Sequence, residues 1–271
     1  MPELPEVETI RRGITPWVLE HPVAKVVVRQ PQLRWMVSTD LAEHLVGRRF
    51  IAVHRRAKYL LLQNEAGWLL IHLGMSGSLR IVPSDLQPDR HDHVDIVFEN
   101  GRCLRLNDPR RFGAVLWIGE RPAEHVLLAH LGPEPLSAEF TGAMLYAGSR
   151  GRKLAVKNFI MDQRIVVGIG NIYASEALYR AGIHPALAAG RISRRRYDLL
   201  AEAVRQVLTE AIAAGGTTLR DFTNEQGRPG YFAQQLLVYG REGHPCVHCG
   251  RPITCETIGQ RSSYFCGRCQ R

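Results

Sequence analysis

Hydrophobic residues follow two different patterns along the chain, and the pattern changes near residue 135. In the first half, short apolar runs of strand length alternate with polar turn sequences; they include KVVVR, KYLLLQ, GWLLIHL, SLRIV, HVDIVF and FGAVLWI. Such runs, together with an Asn-Gly turn before RCLRL, predict a mostly antiparallel β domain, either a sandwich or a barrel. Two helices are expected within it, in GITPWVLEHP and TDLAEHLVG.

Beyond LGPEPLS, whose two prolines and glycine indicate a domain boundary, apolar residues recur at helical spacing. The segments with this spacing are KLAVKNFIMDQ, NIYASEALYRAGI and SRRRYDLLAEAVRQVLTEAIAAGG. Ser193 is a candidate N-cap of the last segment, and Gly215 and Gly216 are its stop signal. The polar, glycine-bearing stretch that follows is long for a connection in a compact protein, which indicates a loop that is either functional or mobile.

Positive charge is concentrated in the second half. The first 135 residues carry 17 Lys and Arg against 16 Asp and Glu, and the remainder carries 18 against 10. This distribution favours a polyanionic partner such as nucleic acid, although a basic surface also serves solubility. The chain has no apolar run near the roughly 20 residues of a membrane span and no signal peptide, so we expect a soluble, cytoplasmic protein.

Four of the six cysteines form two close pairs at the end of the chain, in the pattern C-x2-C-x16-C-x2-C. In a chain without a signal peptide, this spacing predicts one zinc site and not disulfides, because each C-x2-C turn supplies two thiolates. The expected ligands are Cys246, Cys249, Cys266 and Cys269. Four cysteines close the coordination shell, so the zinc is expected to be structural. The intervening residues are long enough for two short strands joined by GQRS, with Arg261 at the tip.

The opening sequence, MPELPEVETI, is dense in prolines and carboxylates. Pro5 lacks a backbone donor and biases Leu4 away from helical angles, which argues against an ordinary helix start. Composition and periodicity alone do not explain why this segment has such a sequence.

The stretch VVGIGNIYASEAL places a G-x-G ahead of a helix. A dinucleotide-binding fingerprint would need a preceding strand, and this neighbourhood is helical. The alternative is a helix-turn-helix-like element in which Asn171, near a helix N-terminus, helps to bind a phosphate. Lys157, one short helix earlier, could reach the same place; otherwise it is a solvated surface lysine.

Four motifs occur in order: PELPEVET, NDPRRFG, GIGNIYASEAL and the four-cysteine ribbon with QRSSYFC. Together they closely resemble the bacterial formamidopyrimidine-DNA glycosylase family, whose members remove 8-oxoguanine and ring-opened purines from oxidised DNA. The resemblance runs from the first residue to the last. It implies an α+β fold with damaged double-stranded DNA in a cleft. The implied domains are a β-sandwich in 1–132, a helix-two-turn-helix domain with a lesion loop in 133–235 and a zinc finger in 236–271.

The resemblance also assigns roles to the opening segment. After removal of the initiator Met, Pro2 becomes the N-terminal nucleophile, and Glu3 beside it is the general acid and base. Glu6 is the second carboxylate, with a role in orienting groups or relaying protons; the alternative is a first-turn carboxylate favoured by the helix dipole. Glu8 is expected to be just such a first-turn carboxylate. Lys58 is implied to be the fourth catalytic residue, which approaches the lesion and a neighbouring phosphate; the alternative is a strand-edge lysine.

A second implied set contacts DNA. Extrusion of the damaged base leaves a gap, which Met75, Arg110 and Phe112 are expected to fill and probe. The full set of implied DNA-binding residues is Met75, His91, Arg110, Arg111, Phe112, Lys157, Asn171 and Arg261. The segment 217–231 corresponds to the lesion-capping loop of the family, and Glu176 is either a residue of the base pocket or an ordinary helix-face glutamate.

Two alternatives stay open from the sequence. One is an endonuclease VIII-like glycosylase for oxidised pyrimidines, against which PELPEVET and NDPRRFG argue. The other is a non-catalytic, zinc-dependent protein that binds damaged DNA. The favoured reading is a bifunctional glycosylase and lyase acting by a proline Schiff base and β,δ-elimination. It is expected to be monomeric, with one structural zinc, no small-molecule cofactor and no membrane association, and to act at the bacterial nucleoid.

Overall fold

A computed structural model describes residues 2–19, 21–216 and 235–271. These residues divide into two compact units. The first unit contains residues up to 129 together with 214–216, and the second contains residues 130–213 and 235–271. None of the helices among the described residues is both long and apolar enough to cross a lipid bilayer.

The first unit contains two four-stranded antiparallel sheets. Its strands are β1 (Val23–Val28), β2 (Ala52–Arg56), β3 (Tyr59–Asn64), β4 (Gly67–His72), β5 (Ser78–Pro83), β6 (Asp92–Phe98), β7 (Arg102–Asn107) and β8 (Ala114–Trp117). One sheet has the order β1-β6-β7-β5 and the other β2-β3-β4-β8. Residues two apart on β3 (Leu60, Leu62), and likewise on β6 (Val94, Ile96), belong to one shared core. The predicted antiparallel β domain is therefore a sandwich and not a barrel, because the two sheets are separate and pack their apolar faces together.

The expectation that the opening segment is not an ordinary helix start is wrong. Helix α1 spans Leu4–Val18, with Glu3 as N-cap and Pro5 within its first two positions. Pro is tolerated there because its missing N–H would have no partner inside the helix. The Glu6 carboxylate accepts a hydrogen bond from the Glu3 backbone N–H, 2.8 Å away, as one half of a capping box. The predicted helix in GITPWVLEHP is the end of α1, and TDLAEHLVG contains the short helix α2 (Leu41–Leu45).

The second unit is helical and carries a β-hairpin. Its helices are α3 (Gly142–Ser149), α4 (Val156–Met161), α5 (Asn171–Arg180) and α6 (Arg194–Ala213), and the hairpin strands are β9 (Thr254–Ile258) and β10 (Arg261–Phe265). The predicted signals at the ends of α6 are confirmed: the Ser193 hydroxyl accepts from the Arg196 N–H at 3.4 Å, and Gly215 and Gly216 have φ of 76° and 82°.

Helix α3 was missed by the sequence prediction. Its N-cap is Thr141, whose hydroxyl accepts from the Met144 N–H at 3.1 Å. The helix packs on α6, and Gly142 lies so close to it that an added Cβ would be 2.5 Å from backbone atoms of Asp198. A helix of only eight residues, two of them glycines, is marginal by itself, so its stability depends on this packing.

Candidate functional site

The N-terminal end of α1 brings together three residues to which the sequence assigned catalysis. Pro2 directly precedes the N-cap, and Pro2, Glu3 and Glu6 are all buried. Glu6 is held at the helix start by its bond to the Glu3 N–H. The arrangement places two carboxylates beside the residue that the family resemblance makes the nucleophile. One of them, Glu6, caps the start of α1 in addition to any catalytic role.

Glu8 is not the first-turn carboxylate that was expected. It lies in the second turn of α1, where the helix dipole is already weak, and its carboxylate accepts from Arg11, Arg12 and Arg55 at 2.8–3.2 Å. Burial alone would raise the pKa of Glu8, but the arginine hydrogen bonds and charges outweigh it and lower the pKa to about 2. Glu8 is therefore ionised at any physiological pH and serves to join elements.

Lys58 lies in the two-residue turn between β2 and β3 and is buried, so it is not a strand-edge lysine. Ala57, the first residue of this turn, has φ of 54°, in the left-handed region that residues with a Cβ seldom adopt. A guanidinium nitrogen of Arg55 donates to the Ala57 carbonyl at 3.0 Å. Burial, and then the positive charges of Lys58 and Arg34, lower the pKa of nearby His72 to about 4, which keeps that imidazole neutral.

The residues expected to fill the gap in DNA lie on two adjoining loops of the first unit. Met75 is on the β4–β5 loop, and Arg110, Arg111 and Phe112 are on the β7–β8 loop. Met75 and Phe112 are 39% and 38% exposed, so neither is a core residue. The Arg110 guanidinium lies 4.9 Å from the centre of the Phe112 ring. Exposed apolar side chains flanked by arginines suit insertion into a base stack.

The two loops are in direct backbone contact. Gly74, with φ of 63°, approaches the 112–113 peptide so closely that an added Cβ would be 2.5 Å from the Phe112 carbonyl carbon. Arg111 has a left-handed φ of 57°. The loops therefore share one tightly determined conformation, and Gly74 is required where they meet.

Asp108 is a residue of this site that the sequence analysis missed. It is fully buried, and its carboxylate accepts from the Gly113 N–H at 2.7 Å, which closes the turn that carries residues 110–112. Its own N–H donates to the carbonyl of His91 at 3.0 Å. His91 and Arg111 line an open pocket of about 340 Å³. The signal for Asp108 was present in NDPRRFG, where an Asp before Pro favours a turn.

In the second unit, the three residues predicted to bind phosphate converge on the β9–β10 hairpin. Lys157 is 0% exposed, and its ammonium donates to the Ser262 carbonyl at 3.1 Å and to the Ser263 hydroxyl at 2.6 Å. The Asn171 side-chain amide donates to the same Ser262 carbonyl at 3.0 Å. The solvated-lysine alternative is therefore wrong for Lys157. Arg261, which directly precedes Ser262 at the start of β10, is exposed.

The hairpin turn itself is tightly specified. Gly259 and Gln260 have φ of 57° and 62°, and two consecutive left-handed residues are the geometry of a type I′ turn. This turn places Arg261 directly beside the hairpin tip, as the sequence predicted.

The helix-face alternative for Glu176 is wrong, because its side chain is buried. Its buried carboxylate accepts from the backbone N–H groups of residues 237, 238 and 239 at 2.8–2.9 Å. Burial raises its pKa, and the three N–H bonds act in the opposite direction. Glu176 thus fixes the chain, including Tyr239, just after the segment 217–231. That segment, predicted to be the lesion-capping loop, lies outside the described residues.

The four predicted zinc ligands lie together. The sulfur atoms of Cys246, Cys249, Cys266 and Cys269 are all within 4.8 Å of one another, and two of the sulfur pairs are 3.9 and 3.4 Å apart. A tetrahedron with Zn–S bonds of about 2.3 Å has sulfur edges of about 3.8 Å, so the donor set fits zinc. The Tyr179 hydroxyl lies 3.1 Å from the Cys246 sulfur, where it can donate to a thiolate.

Family models match almost the whole length of the chain. Residues 1–115 match the formamidopyrimidine-DNA glycosylase N-terminal domain, and residues 131–223 match the formamidopyrimidine-DNA glycosylase H2TH domain. Residues 243–271 match the zinc finger found in FPG and IleRS. The four clustered cysteines lie within this last match, so the chain contains a zinc-finger domain.

Known proteins match over full length. The chain is 80% identical to the formamidopyrimidine-DNA glycosylase of Syntrophotalea carbinolica and 59% identical to that of Methylococcus capsulatus, with 100% of each chain covered in both cases. Among solved structures, MutM (FPG) from Thermus thermophilus is 40% identical with a TM-score of 0.89, covering 99% of this chain and 98% of its own. A Lactococcus lactis FPG mutant in complex with Fapy-dG-containing DNA is 30% identical with a TM-score of 0.93 over 100% of both chains. The chain therefore belongs to the formamidopyrimidine-DNA glycosylase family.

Proposed function

We propose that this protein is a bifunctional DNA glycosylase and abasic-site lyase of base excision repair. Its substrates are 8-oxoguanine and formamidopyrimidines in oxidised double-stranded DNA. The observation that carries the proposal is the N-terminal site, in which Pro2 is flanked by the buried carboxylates of Glu3 and Glu6 in a chain that is 80% identical, end to end, to a formamidopyrimidine-DNA glycosylase.

The reaction starts at the amine of Pro2 after removal of Met1. A free α-amino group titrates near ~8, below a lysine at ~10.4, so a useful fraction is unprotonated at neutral pH. The nitrogen forms a bond to C1′, the glycosidic bond breaks, and the base leaves with a proton. Glu3 protonates the ring oxygen of the sugar, which opens to an iminium. The iminium acidifies the C2′ proton, so β-elimination and then δ-elimination break the strand.

The remaining residues bind and reshape the DNA. Lys58, Asn171 and Arg261 hold phosphates around the lesion, and Arg111 and His91 hold phosphates near the gap. Lys157, which is buried, supports the phosphate site by fixing the hairpin through Ser262 and Ser263. Met75, Arg110 and Phe112 fill the gap left by the extruded base, with Arg110 donating to the estranged cytosine. Exposure of Met75 and Phe112, and the convergence of Lys157 and Asn171 beside Arg261, support these roles.

The cysteine cluster holds one structural Zn²⁺ in this proposal. Four thiolates leave no open position, so the metal stabilises the hairpin that carries Arg261 and takes no part in the reaction. The protein is proposed to act as a monomer in the bacterial cytoplasm, at the nucleoid.

Borohydride trapping tests the proposal. Duplex DNA with 8-oxoguanine opposite cytosine is mixed with enzyme whose N-terminal mass shows a free Pro2, and sodium borohydride reduces the iminium to a stable protein–DNA adduct. We expect an adduct with the unchanged protein and none with Glu3→Gln, which should still bind the duplex. Glu43→Gln, at an exposed position of α2, is the matched control and should form the adduct normally. Binding without adduct by correctly processed protein would leave only a DNA-binding role.

Oxidised pyrimidines are a second candidate class of substrate, and their excision is tested separately. A solved complex of Lactococcus lactis FPG contains an oxidised-pyrimidine DNA, and that protein is 29% identical to this chain. Excision of thymine glycol is therefore measured beside excision of 8-oxoguanine. Faster excision of 8-oxoguanine and formamidopyrimidine supports the proposal, whereas a strong preference for thymine glycol contradicts it.

A further inference from the structure

The carboxylate of Glu8 accepts hydrogen bonds from three arginine side chains. Glu8 is 8% exposed, Arg11 contacts both its oxygens at 2.8 and 3.0 Å, Arg12 contacts one at 2.8 Å, and Arg55 contacts the other at 3.2 Å. Arg11 and Arg12 belong to the same helix as Glu8. Arg55 comes from β2, 47 residues away, so this contact joins two elements.

The same Arg55 guanidinium also donates a hydrogen bond to the turn that carries Lys58. Its Nε donates to Glu8, and its Nη1 donates to the carbonyl oxygen of Ala57 at 3.0 Å. Ala57 is buried and has a left-handed φ of 54°. A residue with a Cβ keeps such a conformation only where its surroundings determine it, and the bond from Arg55 is one such determinant.

The contact therefore connects the two parts of the N-terminal site. Helix α1 carries Pro2, Glu3 and Glu6 at its start, and the β2–β3 turn carries Lys58. A second contact joins α1 to β2, because Arg11 also donates to the carbonyl of Val53 on β2 at 3.3 Å. A buried, charge-assisted link of this kind restricts relative movement more strongly than apolar packing, since it fixes direction as well as distance.

We propose that Glu8 and Arg55 are positioning residues, which fix the ammonium group of Lys58 relative to the Pro2 nitrogen. The proposal rests on the proposed function for the role of Lys58. Neither residue touches DNA in this proposal; they act through the Ala57–Lys58 turn. Reacting groups must be held within about 0.5 Å of their productive positions, and a displacement of about 1 Å can reduce the rate by about 100-fold.

Four variants separate positioning from a general loss of stability. Glu8→Gln and Arg55→Gln remove the link. Arg12→Gln is the first control, since it removes a contact to the same carboxylate on the exposed side. Asp95→Asn is the second control, because it breaks a buried contact to Arg105 elsewhere in the same sandwich.

The first readout is the single-turnover rate of borohydride-trapped adduct at saturating enzyme, with duplex affinity measured separately. We expect Glu8→Gln and Arg55→Gln to slow trapping by about 10–100-fold with little change in affinity. The double variant should be no slower than the slower single one, because both break one link. Arg55→Lys, which can reach one of the two acceptors, should be intermediate. Arg12→Gln should trap at the normal rate, and Asp95→Asn should lower the melting temperature without slowing trapping.

The second readout needs no activity. Hydrogen–deuterium exchange of the peptide covering residues 55–60 should accelerate in Glu8→Gln and Arg55→Gln and not in the two controls. Unchanged exchange there, normal trapping by the Gln variants, or equal slowing by Asp95→Asn would each overturn the proposal. Absence of any adduct with unchanged protein would refute the proposed function, and the exchange result would still decide whether the link holds the turn. If Glu8→Gln does not fold, Glu8→Asp, which withdraws the carboxylate by one methylene, takes its place.

Discussion

Substitution of Asp108 by Ala should release the loop that carries Arg110, Arg111 and Phe112. The carboxylate accepts from the buried Gly113 N–H at 2.7 Å, and a hydrogen bond to a charged group contributes about 1.5–3 kcal/mol. The loop also holds Arg111 in a left-handed conformation that costs about 1–2 kcal/mol and that the released chain would leave. We expect Asp108→Ala to lower the free energy of unfolding by about 1–2 kcal/mol, because relief of the Arg111 conformation offsets part of the lost hydrogen bond. Asp108→Asn, which keeps a neutral acceptor, should lower it by about 0.5 kcal/mol.

Two measurements check this prediction. Urea denaturation gives the change in stability. Stopped-flow fluorescence of 2-aminopurine next to the lesion reports unstacking as Phe112 inserts, and we expect Asp108→Ala to slow or abolish that phase. Asn64→Ala is the matched control, because Asn64 is a buried side chain whose oxygen accepts from the N–H groups of Ala66 and Gly67 at 2.9 and 3.1 Å in another turn of the same sandwich.

Asn64→Ala should therefore lose a comparable amount of stability and insert normally. The reasoning is refuted if Asp108→Ala unfolds with normal stability. It is equally refuted if that variant is destabilised as expected while 2-aminopurine unstacks at the rate of the unchanged protein.

Further predictions concern pH, DNA binding, packing and the metal. The pKa of Glu8 is lowered from 4.5 to about 2, so its stabilising contribution is complete above about pH 4.5 and is lost as the pH falls towards 2. The stability difference between unchanged protein and Glu8→Gln should be about 1–2 kcal/mol at pH 6 in urea denaturation, allowing for solvent screening, and should shrink below pH 4.5; a constant difference down to pH 3 would contradict the assigned ionisation. Arg261→Ala should weaken binding to damaged and undamaged duplex alike. It should also reduce the slope of log Kd against log salt concentration by about one unit, because one phosphate contact is lost; normal binding would remove Arg261 from the proposed phosphate set. Gly142→Ala should destabilise by about 1–3 kcal/mol or more, because its Cβ would overlap backbone atoms of Asp198, whereas Gly151→Ala, with open space around it, should show only the smaller penalty of its left-handed φ. A zinc chelator should abolish DNA binding at concentrations that leave the far-ultraviolet signal of the β-sandwich intact, and DNA binding that survives metal removal would contradict a zinc-stabilised hairpin.

Local patterns in the sequence were sufficient for elements whose signals lie within the element. The strands of the sandwich follow from short apolar runs between turns, and α6 follows from helical periodicity with Ser193 before it and Gly215 after it. The cysteine cluster follows from spacing alone, because two C-x2-C turns already hold their thiolates in pairs. The choice between sandwich and barrel did not follow, because strand order depends on pairing between distant segments.

In the functional site, too, local motifs were recognisable from the sequence and contacts between distant residues were not. Recognisable motifs predicted roles for Pro2, Glu3 and Arg261, but they did not show that Glu8 contacts Arg55 or that Asp108 accepts from Gly113. The pattern around Pro5 argued against an ordinary helix start, because it could not show that Glu3 and Glu6 would cap a helix there.

Residue types and local spacing thus determined most of the strands and helices, which cysteines cluster, and which motifs indicate the family. The tertiary structure alone decided that Glu8 is linked to Arg55 across 47 residues and that buried Lys157 donates to Ser263 across 106. The physical reason is that a charged side chain becomes buried only where partners from distant segments compensate for its lost hydration, and those partners are brought together only by folding.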